Sequence, residues 1–318
     1  MKPLPDLPGA LEASIGLRVD QIDTPALVVD LDAMDRNIER MADFARKHQV
    51  LWRPHAKLHK SAEIALQLQR AGAVGACVQK TAEAEALAEG GVRDITITNQ
   101  VIAHPKLLRV ARLAAHLQTQ GGRQALAQAV ARLTQLRFAG LHAYHGRAQH
   151  LRGAAERREA IAAAVQAARH TRDLITATGL PVPLVTGSGT GTLVHEAASG
   201  VYGELQAGSF LFMDTDYARN EREPAQPAFE HALYVKTQVV SVRDTHAVCD
   251  AGHKSHAIDS GLPTVALLPA DRTLRYANGG DEHGLLYADA PDARLPSLGH
   301  MLWLIPGHCD PRSTCTTF

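Results

Sequence analysis

Arg53-Pro54-His55-Ala56-Lys57-Leu58-His59-Lys60 sets two lysines, two histidines and an arginine behind a proline. Upstream, Thr24-Pro25-Ala26-Leu27-Val28-Val29-Asp30 reads as a buried β-strand, and a helix follows over 31–47. A basic cluster just after a barrel-type strand suits a site that holds an anion and an activated amine. A lysine crowded by other cations has a lowered pKa and can form a Schiff base. Read alone, the same eight residues fit a solvated basic turn equally well.

Working outward, short apolar runs alternate with Ala-rich amphipathic segments from residue 22 to about 217. Residues 26–29, 75–78, 95–98, 138–144, 184–186 and 205–212 read as strands. Residues 61–71, 81–90, 106–117, 123–133 and 154–178 read as helices. Such alternation predicts an α/β fold with a parallel sheet, open or closed into a barrel. Beyond about Asn220 the texture changes. Residues 234–242 and 247–250 are β-branched and alternating, with many Gly and Pro, which predicts a smaller β-domain. The expected division is a barrel over 22–220 and a β-domain over 221–318 joined by part of 1–21, with 221–227 as the linker.

The 318 residues suffice for two domains and a large core. Formal net charge is zero, so nothing points to nucleic acid or an acidic membrane surface. No apolar run is long enough to span a bilayer, and the N-terminus lacks the order of a signal peptide. Cys77, Cys249, Cys309 and Cys315 form no pairwise motif, which fits reduced thiols in the cytoplasm.

Two further motifs carry chemistry. Thr186-Gly187-Ser188-Gly189-Thr190-Gly191-Thr192 lies between a short strand and an apolar segment. Small residues let backbone N–H groups approach a phosphate, and hydroxyls add hydrogen bonds; a plain turn is the other reading. Gln206, Gly208 and Ser209 fall at the next strand and border the same site. His308 and Asp310 form an H-x-D pair that would share one face of a strand, with Cys309 facing away. One imidazole and one carboxylate can bind one divalent ion, and oxygen ligation suits Mn²⁺ or Mg²⁺ better than Zn²⁺. A structural hydrogen bond is the other reading of that pair.

T-P-A-L-V-V-D-L-D-A-M-x-R-N-I followed by R-P-H-A-K-x-H-K closely resembles the opening of the D-threonine aldolase / D-serine dehydratase family. These are pyridoxal-phosphate (PLP) enzymes with the alanine-racemase type of fold. The likeness continues through Gly72-Ala73-Val74-Gly75, Tyr144-His145-Gly146-Arg147, the 186–192 loop and Asp250-Ala251-Gly252-His253-Lys254. It ends at Pro306-Gly307-His308-Cys309-Asp310, so it spans nearly the whole chain in order.

The resemblance implies that Lys57 carries PLP, that His55 and Arg53 position it, and that Tyr144 contacts the cofactor. It implies His150 as the acid–base residue, a role that the near-neutral pKa of imidazole suits. Aldolase-like members carry H-x-D with manganese or magnesium, and dehydratase-like members carry H-x-C with zinc. The implied activity is cleavage of a D-3-hydroxy amino acid such as D-threonine to glycine and an aldehyde, by a homodimer. Dehydration of D-serine or 3-hydroxy-D-aspartate is the first alternative. His253, Lys254 and the 281–284 stretch look like further neighbours of the site or plain structural polar residues.

The chain also departs from the family. Between 95–99 and 138–144 only two helical stretches are found, joined by 118–122. The family has two further strands there, one bringing an arginine near the cofactor ring. A six-strand remnant would leave two open edges. After Pro311 the family usually continues T-V-N-L-H-D, whereas Arg312-Ser313-Thr314-Cys315-Thr316-Thr317-Phe318 reads as the same DNA one base out of frame. An inactive remnant is therefore the second alternative.

Overall fold

A computed structural model describes residues 14–117, 137–266, 273–289 and 294–310. The helix expected over 123–133, the 118–122 connection and the tail from Arg312 lie outside them. By its contacts the chain divides into two units. One combines the described residues before Val29 with Tyr234–Pro306, and the other combines Val29–Leu233 with the residues from Gly307.

After β1 (Ala26–Val29), which belongs to the smaller unit up to Val28, the larger unit opens with α1 (Leu31–His48), which begins at Asp30, whose side chain accepts from the Ala33 backbone N–H at 3.0 Å. Met34, Ile38, Met41 and Ala45 recur at three- to four-residue spacing and are buried. They join one core with Trp52, Leu193, Leu205 and Phe210. Next come β2 (Leu51–Trp52), α2 (Ala62–Arg70), β3 (Ala76–Val78), α3 (Thr81–Glu89), β4 (Ile95–Ile97) and α4 (His104–Leu117). Past the undescribed segment are β5 (Leu141–Ala143), α5 (Ala154–Ala177), β6 (Val185–Gly187), α6 (Leu193–Ala198), β7 (Glu204–Leu205) and α7 (Thr215–Ala218).

The parallel pairs are β2–β7, β7–β6, β6–β5 and β3–β4. A parallel bridge between His55 and Cys77 links the two sets, giving the order β4-β3-β2-β7-β6-β5. Among the described residues, β4 and β5 do not pair. A cavity of about 650 Å³ lies there, lined by Ile95, Ile97, Gly140 and His142 among others. The expected six parallel strands are present, but not with the expected membership. β1 pairs with β8 of the antiparallel sheet, and Leu27 is half-exposed, so it is not the buried barrel strand that its apolar run suggested. The two-residue β2 takes its place. The run 205–212 is also not one strand. Only Glu204–Leu205 pair, and a 3-10 turn over Ser209–Leu211 follows. A Cβ at Gly208 would come within 2.7 Å of the His55 carbonyl oxygen, so glycine lets this turn close against the lysine segment.

The smaller unit is an antiparallel sheet of β8 (Leu233–Val242), β9 (Ala247–Cys249), β10 (Thr264–Ala266), β11 (Leu274–Asn278), β12 (Gly284–Ala288) and β13 (Met301–Ile305). Their order is β10-β13-β8-β9-β12-β11, with β1 beside β8. Alternate residues Val235, Val239, Leu302 and Leu304 fill its core. Cys77, Cys249 and Cys309 are buried and form no disulfide among the described residues. No described helix is long and apolar enough to cross a membrane.

Candidate active site

Lys57 sits in a 3-10 turn, Ala56–Leu58, with His55 at its N-cap. His55 Nδ1 accepts from the Lys57 backbone N–H at 3.3 Å, so Nε2 carries the proton and donates to Thr98 Oγ1 at 3.0 Å. Burial, aided by the Lys57 charge, pushes His55 down to about 3, and burial pushes His59 down to about 4. Both rings are therefore neutral. Lys60 turns to Glu83 at 3.6 Å.

The crowding expected to lower the Lys57 pKa is thus absent. Lys57 Nζ instead lies 2.6 Å from Asp310 Oδ2, with about a third (35%) of its side chain exposed. Burial works against the ammonium, but the Asp310 charge more than offsets it and raises the lysine. Arg53 is also not beside the lysine. It is ion-paired with Glu204 at 3.0 Å and Asp94 at 2.7 Å, and bare Gly75 leaves room for its guanidinium. Tyr144 follows β5 with its side chain half-exposed, close enough to Lys57 for their charges to interact.

The 186–192 loop leaves β6 and is almost wholly buried. Ser188 takes φ +80°, a left-handed conformation costly for a residue with a Cβ. The backbone N–H groups of Ser188, Gly189 and Thr190 donate to no acceptor among the described residues. Thr190 Oγ1 accepts from Phe210 N at 2.9 Å, and Gly191 N donates to Gln149 Oε1 at 3.0 Å. Gln149 Nε2 donates to Thr192 Oγ1, which donates to Glu196 Oε1, each at 2.8 Å. Beneath the loop, Gln206 Nε2 donates to Thr186 Oγ1 at 2.9 Å, and Thr186 donates to Glu204 at 2.7 Å. Gln206 Oε1 accepts from His142 Nε2 at 2.7 Å. Ser209 is buried at the start of its 3-10 turn. This loop fits a phosphate: its free N–H groups are anion donors, and its side chains are already committed to holding its shape.

His308 and Asp310 are not on a strand; they lie in the turn after β13. They converge because of Asp214, which is fully buried at the N-cap of α7. Asp214 Oδ2 accepts from His308 Nδ1 at 2.7 Å and from Cys309 N at 3.1 Å. His308 Nε2 is left 3.4 Å from Asp310 Oδ2. Burial opposes charge on His308, but the bonds and charges of Asp214 and Asp310 raise it to about 10. Asp310 is held well below the ordinary carboxylate range, because His308 and Lys57 outweigh its burial. Cys309 faces away, its thiol donating to the Met213 carbonyl at 3.1 Å.

Among the described residues no group of three or more His, Cys, Asp or Glu side chains could hold a metal ion. His308 and Asp310 fit a hard divalent ion that keeps much of its water, with Asp214 holding the imidazole from behind. His150 Nδ1 lies 2.6 Å from Asp216 Oδ2. The rings of His150, Tyr217 and His308 lie 5.8–6.1 Å apart, centroid to centroid. His253, Lys254, Asp281 and Glu282 form an ion cluster in the other unit.

Sequence reasoning missed Asp214, Asp216 and Glu196. The Asp214-Thr215-Asp216-Tyr217 run was the available signal, an N-cap aspartate with a second carboxylate two residues on.

Two family models match: "Alanine racemase, N-terminal domain" over residues 29–120 and "Putative serine dehydratase domain" over residues 232–317. The 3-hydroxy-D-aspartate aldolase of Paracoccus denitrificans (strain Pd 1222) is 36% identical, over 98% of this chain and 89% of its own. That alignment takes 360 positions for a 318-residue chain, so the relative has some tens of residues with no counterpart here. The D-threonine aldolase of an Arthrobacter species is 38% identical, over 92% of this chain and 86% of its own. The crystal structure of D-threonine aldolase from Filomicrobium marinum superposes with a TM-score of 0.86 at 37% identity, covering 94% of this chain and 91% of that one. The chain belongs to the family of D-threonine and 3-hydroxy-D-aspartate aldolases, with the alanine-racemase type of fold.

Proposed function

We propose that this member of the aldolase family cleaves the Cα–Cβ bond of a D-3-hydroxy amino acid of the D-threonine or 3-hydroxy-D-aspartate type, giving glycine and an aldehyde. Lys57 would hold PLP, with Ser188, Gly189 and Thr190 at its phosphate and Tyr144 and Gln206 near its ring. His308 and Asp310 would hold Mn²⁺ or Mg²⁺. One observation carries the reading: the amine of Lys57 and the H-x-D pair meet in one unit, with Nζ 2.6 Å from Asp310.

PLP supplies an electron sink for the carbanion that Cα–Cβ cleavage leaves. A divalent ion supplies a Lewis acid that acidifies the β-hydroxyl. The chain's own residues do the rest. Asp310 keeps Lys57 charged, so the amine must give up its proton before it can form a covalent bond. His150, turned by Asp216, takes the proton of the β-hydroxyl. Glu196 below the loop is pushed up to about 7 by burial, so near neutral pH much of it adds no negative charge beneath a phosphate. The carboxylate at position 310, where a thiolate would suit zinc, favours cleavage over dehydration.

The test is the absorbance spectrum of the protein with added PLP, for wild type and Lys57→Ala. A visible band in wild type that is lost in the variant is expected, followed by Mn²⁺-stimulated release of glycine from D-threonine. Absence of the band in wild type would refute the reading and leave an inactive remnant.

A further inference from the structure

We propose that Asp216 is the positioning residue for His150: its carboxylate fixes the imidazole tautomer that presents a lone pair on Nε2 to the substrate hydroxyl. The inference builds on the reading of His150 as the acid–base group.

His150 ends a 3-10 turn, Gly146–His150, and nearly half (47%) of its side chain is exposed. Exposure leaves such a ring free to rotate unless a specific contact holds it. Asp216 provides that contact from a side chain only 9% exposed, with Oδ2 2.6 Å from His150 Nδ1. An ionised carboxylate only accepts hydrogen bonds, so Nδ1 must carry a proton. In the neutral ring the lone pair is then on Nε2.

The aspartate is itself anchored on three sides. Its Oδ1 accepts from Arg152 Nη2. Its carbonyl accepts from Arg152 Nη1 at 2.7 Å, and its N–H donates to the Gly307 carbonyl at 3.0 Å. A purely structural ion pair would engage both carboxylate oxygens with the guanidinium fork. Here Nη1 goes to the backbone and to Asn220 Oδ1 at 2.6 Å, so Oδ2 is left for the histidine. Burial opposes ionisation of Asp216, but Arg152 and His150 prevail and hold it below the ordinary carboxylate range. The link to Gly307 also ties the aspartate to the turn that carries His308.

Asp216→Asn separates positioning from structure. Asparagine keeps the shape, but its amide can donate to Nδ1 and move the ring proton to Nε2. The test uses protein loaded with PLP and Mn²⁺, turning over D-threonine. The expected result is a fall in kcat of about a hundredfold or more, the usual contribution of a positioned proton acceptor. KM, the PLP band and Mn²⁺ affinity should not change, since the loss is confined to the transition state, while the melting temperature falls modestly because Arg152 loses its ionised partner.

Ring ¹⁵N resonances of His150 in the wild type, at mildly alkaline pH, read the tautomer without depending on any variant. A proton on Nδ1 is expected, and a proton on Nε2 overturns the proposal. His150→Gln is the control. If it loses turnover while Asp216→Asn keeps the wild-type kcat, the positioning role is wrong and the acid–base reading stands. If His150→Gln keeps the wild-type kcat, both fall.

Discussion

Glu196→Gln isolates one buried charge. Glu196 is 1% exposed in α6, and its Oε1 accepts from Thr192 Oγ1 at 2.8 Å. Its Oε2 is buried without a hydrogen bond among the described residues; Ser188 lies near enough to lower the carboxyl slightly but closes no bond. Burial is the dominant influence and raises the group from 4.5 to about 7. A group whose pKa is raised by folding contributes stability while protonated. That contribution is fully present below 4.5 and is lost as pH rises through 7. The difference of about 2.5 units, at 1.36 kcal/mol each, gives about 3 kcal/mol lost above pH 8.

Glutamine keeps the oxygen that Thr192 needs and places an amide where the neutral acid has its hydroxyl, but it does not titrate. The variant should match wild type below pH 4.5 and exceed it by about 3 kcal/mol near pH 9. In a chain of this size that is a rise in melting temperature of about 4–5 °C. Thermal melts of both cofactor-free proteins across that range provide the assay. A difference independent of pH would refute the reasoning, as would a glutamine variant less stable than wild type at alkaline pH.

Two other substitutions probe separate parts of the same unit. Asp214→Asn removes the carboxylate behind His308 and should weaken Mn²⁺ binding about 10- to 100-fold by isothermal titration, with the fold intact. Unchanged affinity would mean that His308 does not bind the ion. Phe210→Ala empties a fully buried position between Trp52 and Phe229, at 6.1 and 5.3 Å centroid separation. It should lower stability by about 3–5 kcal/mol in urea titration; a loss under 1 kcal/mol would argue against that core.

Much of the fold was legible because long amphipathic patterns are strong signals. The helices over 31–47 and 154–178 were readable from their amphipathic pattern, and they stand within a residue of the observed α1 and α5. The apolar run 26–29 was a strand as expected, but its partner was not legible. Pairing depends on a strand two hundred residues away, and composition does not encode which sheet a four-residue run will join. The two-residue β2 was too short for any period to show. At the site, the motifs named Lys57, the 186–192 loop and the H-x-D pair through their resemblance to the family. The charges of His55, Arg53 and Lys57 were not legible, because each depends on partners distant in sequence: Thr98, Glu204 with Asp94, and Asp310.

That β4 and β5 do not pair among the described residues bears on whether the site is whole. The candidate residues come from the ends of β2 (Lys57), β5 (Tyr144 and His150), β6 (Ser188 to Thr190) and β7 (Gln206 to Ser209). In the sheet these four strands are consecutive, β2-β7-β6-β5, and each pair is joined by a parallel ladder. β3 and β4 attach to this set through the bridge of His55 to Cys77 and the bond from Val74 N–H to the Trp52 carbonyl. An opening beside β4 therefore breaks no hydrogen-bonded link among the strands that position the site. The turn over 307–310 is held by Asp214, by the Asp216 N–H and by the Lys57 ion pair to Asp310. Asp214 holds His308 and Asp216 holds His150, two residues apart at the start of α7, so one helical turn sets the spacing of both imidazoles. The family's ring-side arginine would come from the interval that is short here. Residues 118–136 of that interval lie outside the described residues, whereas the lysine, the loop N–H groups and the two anchored histidines are held by elements that are described.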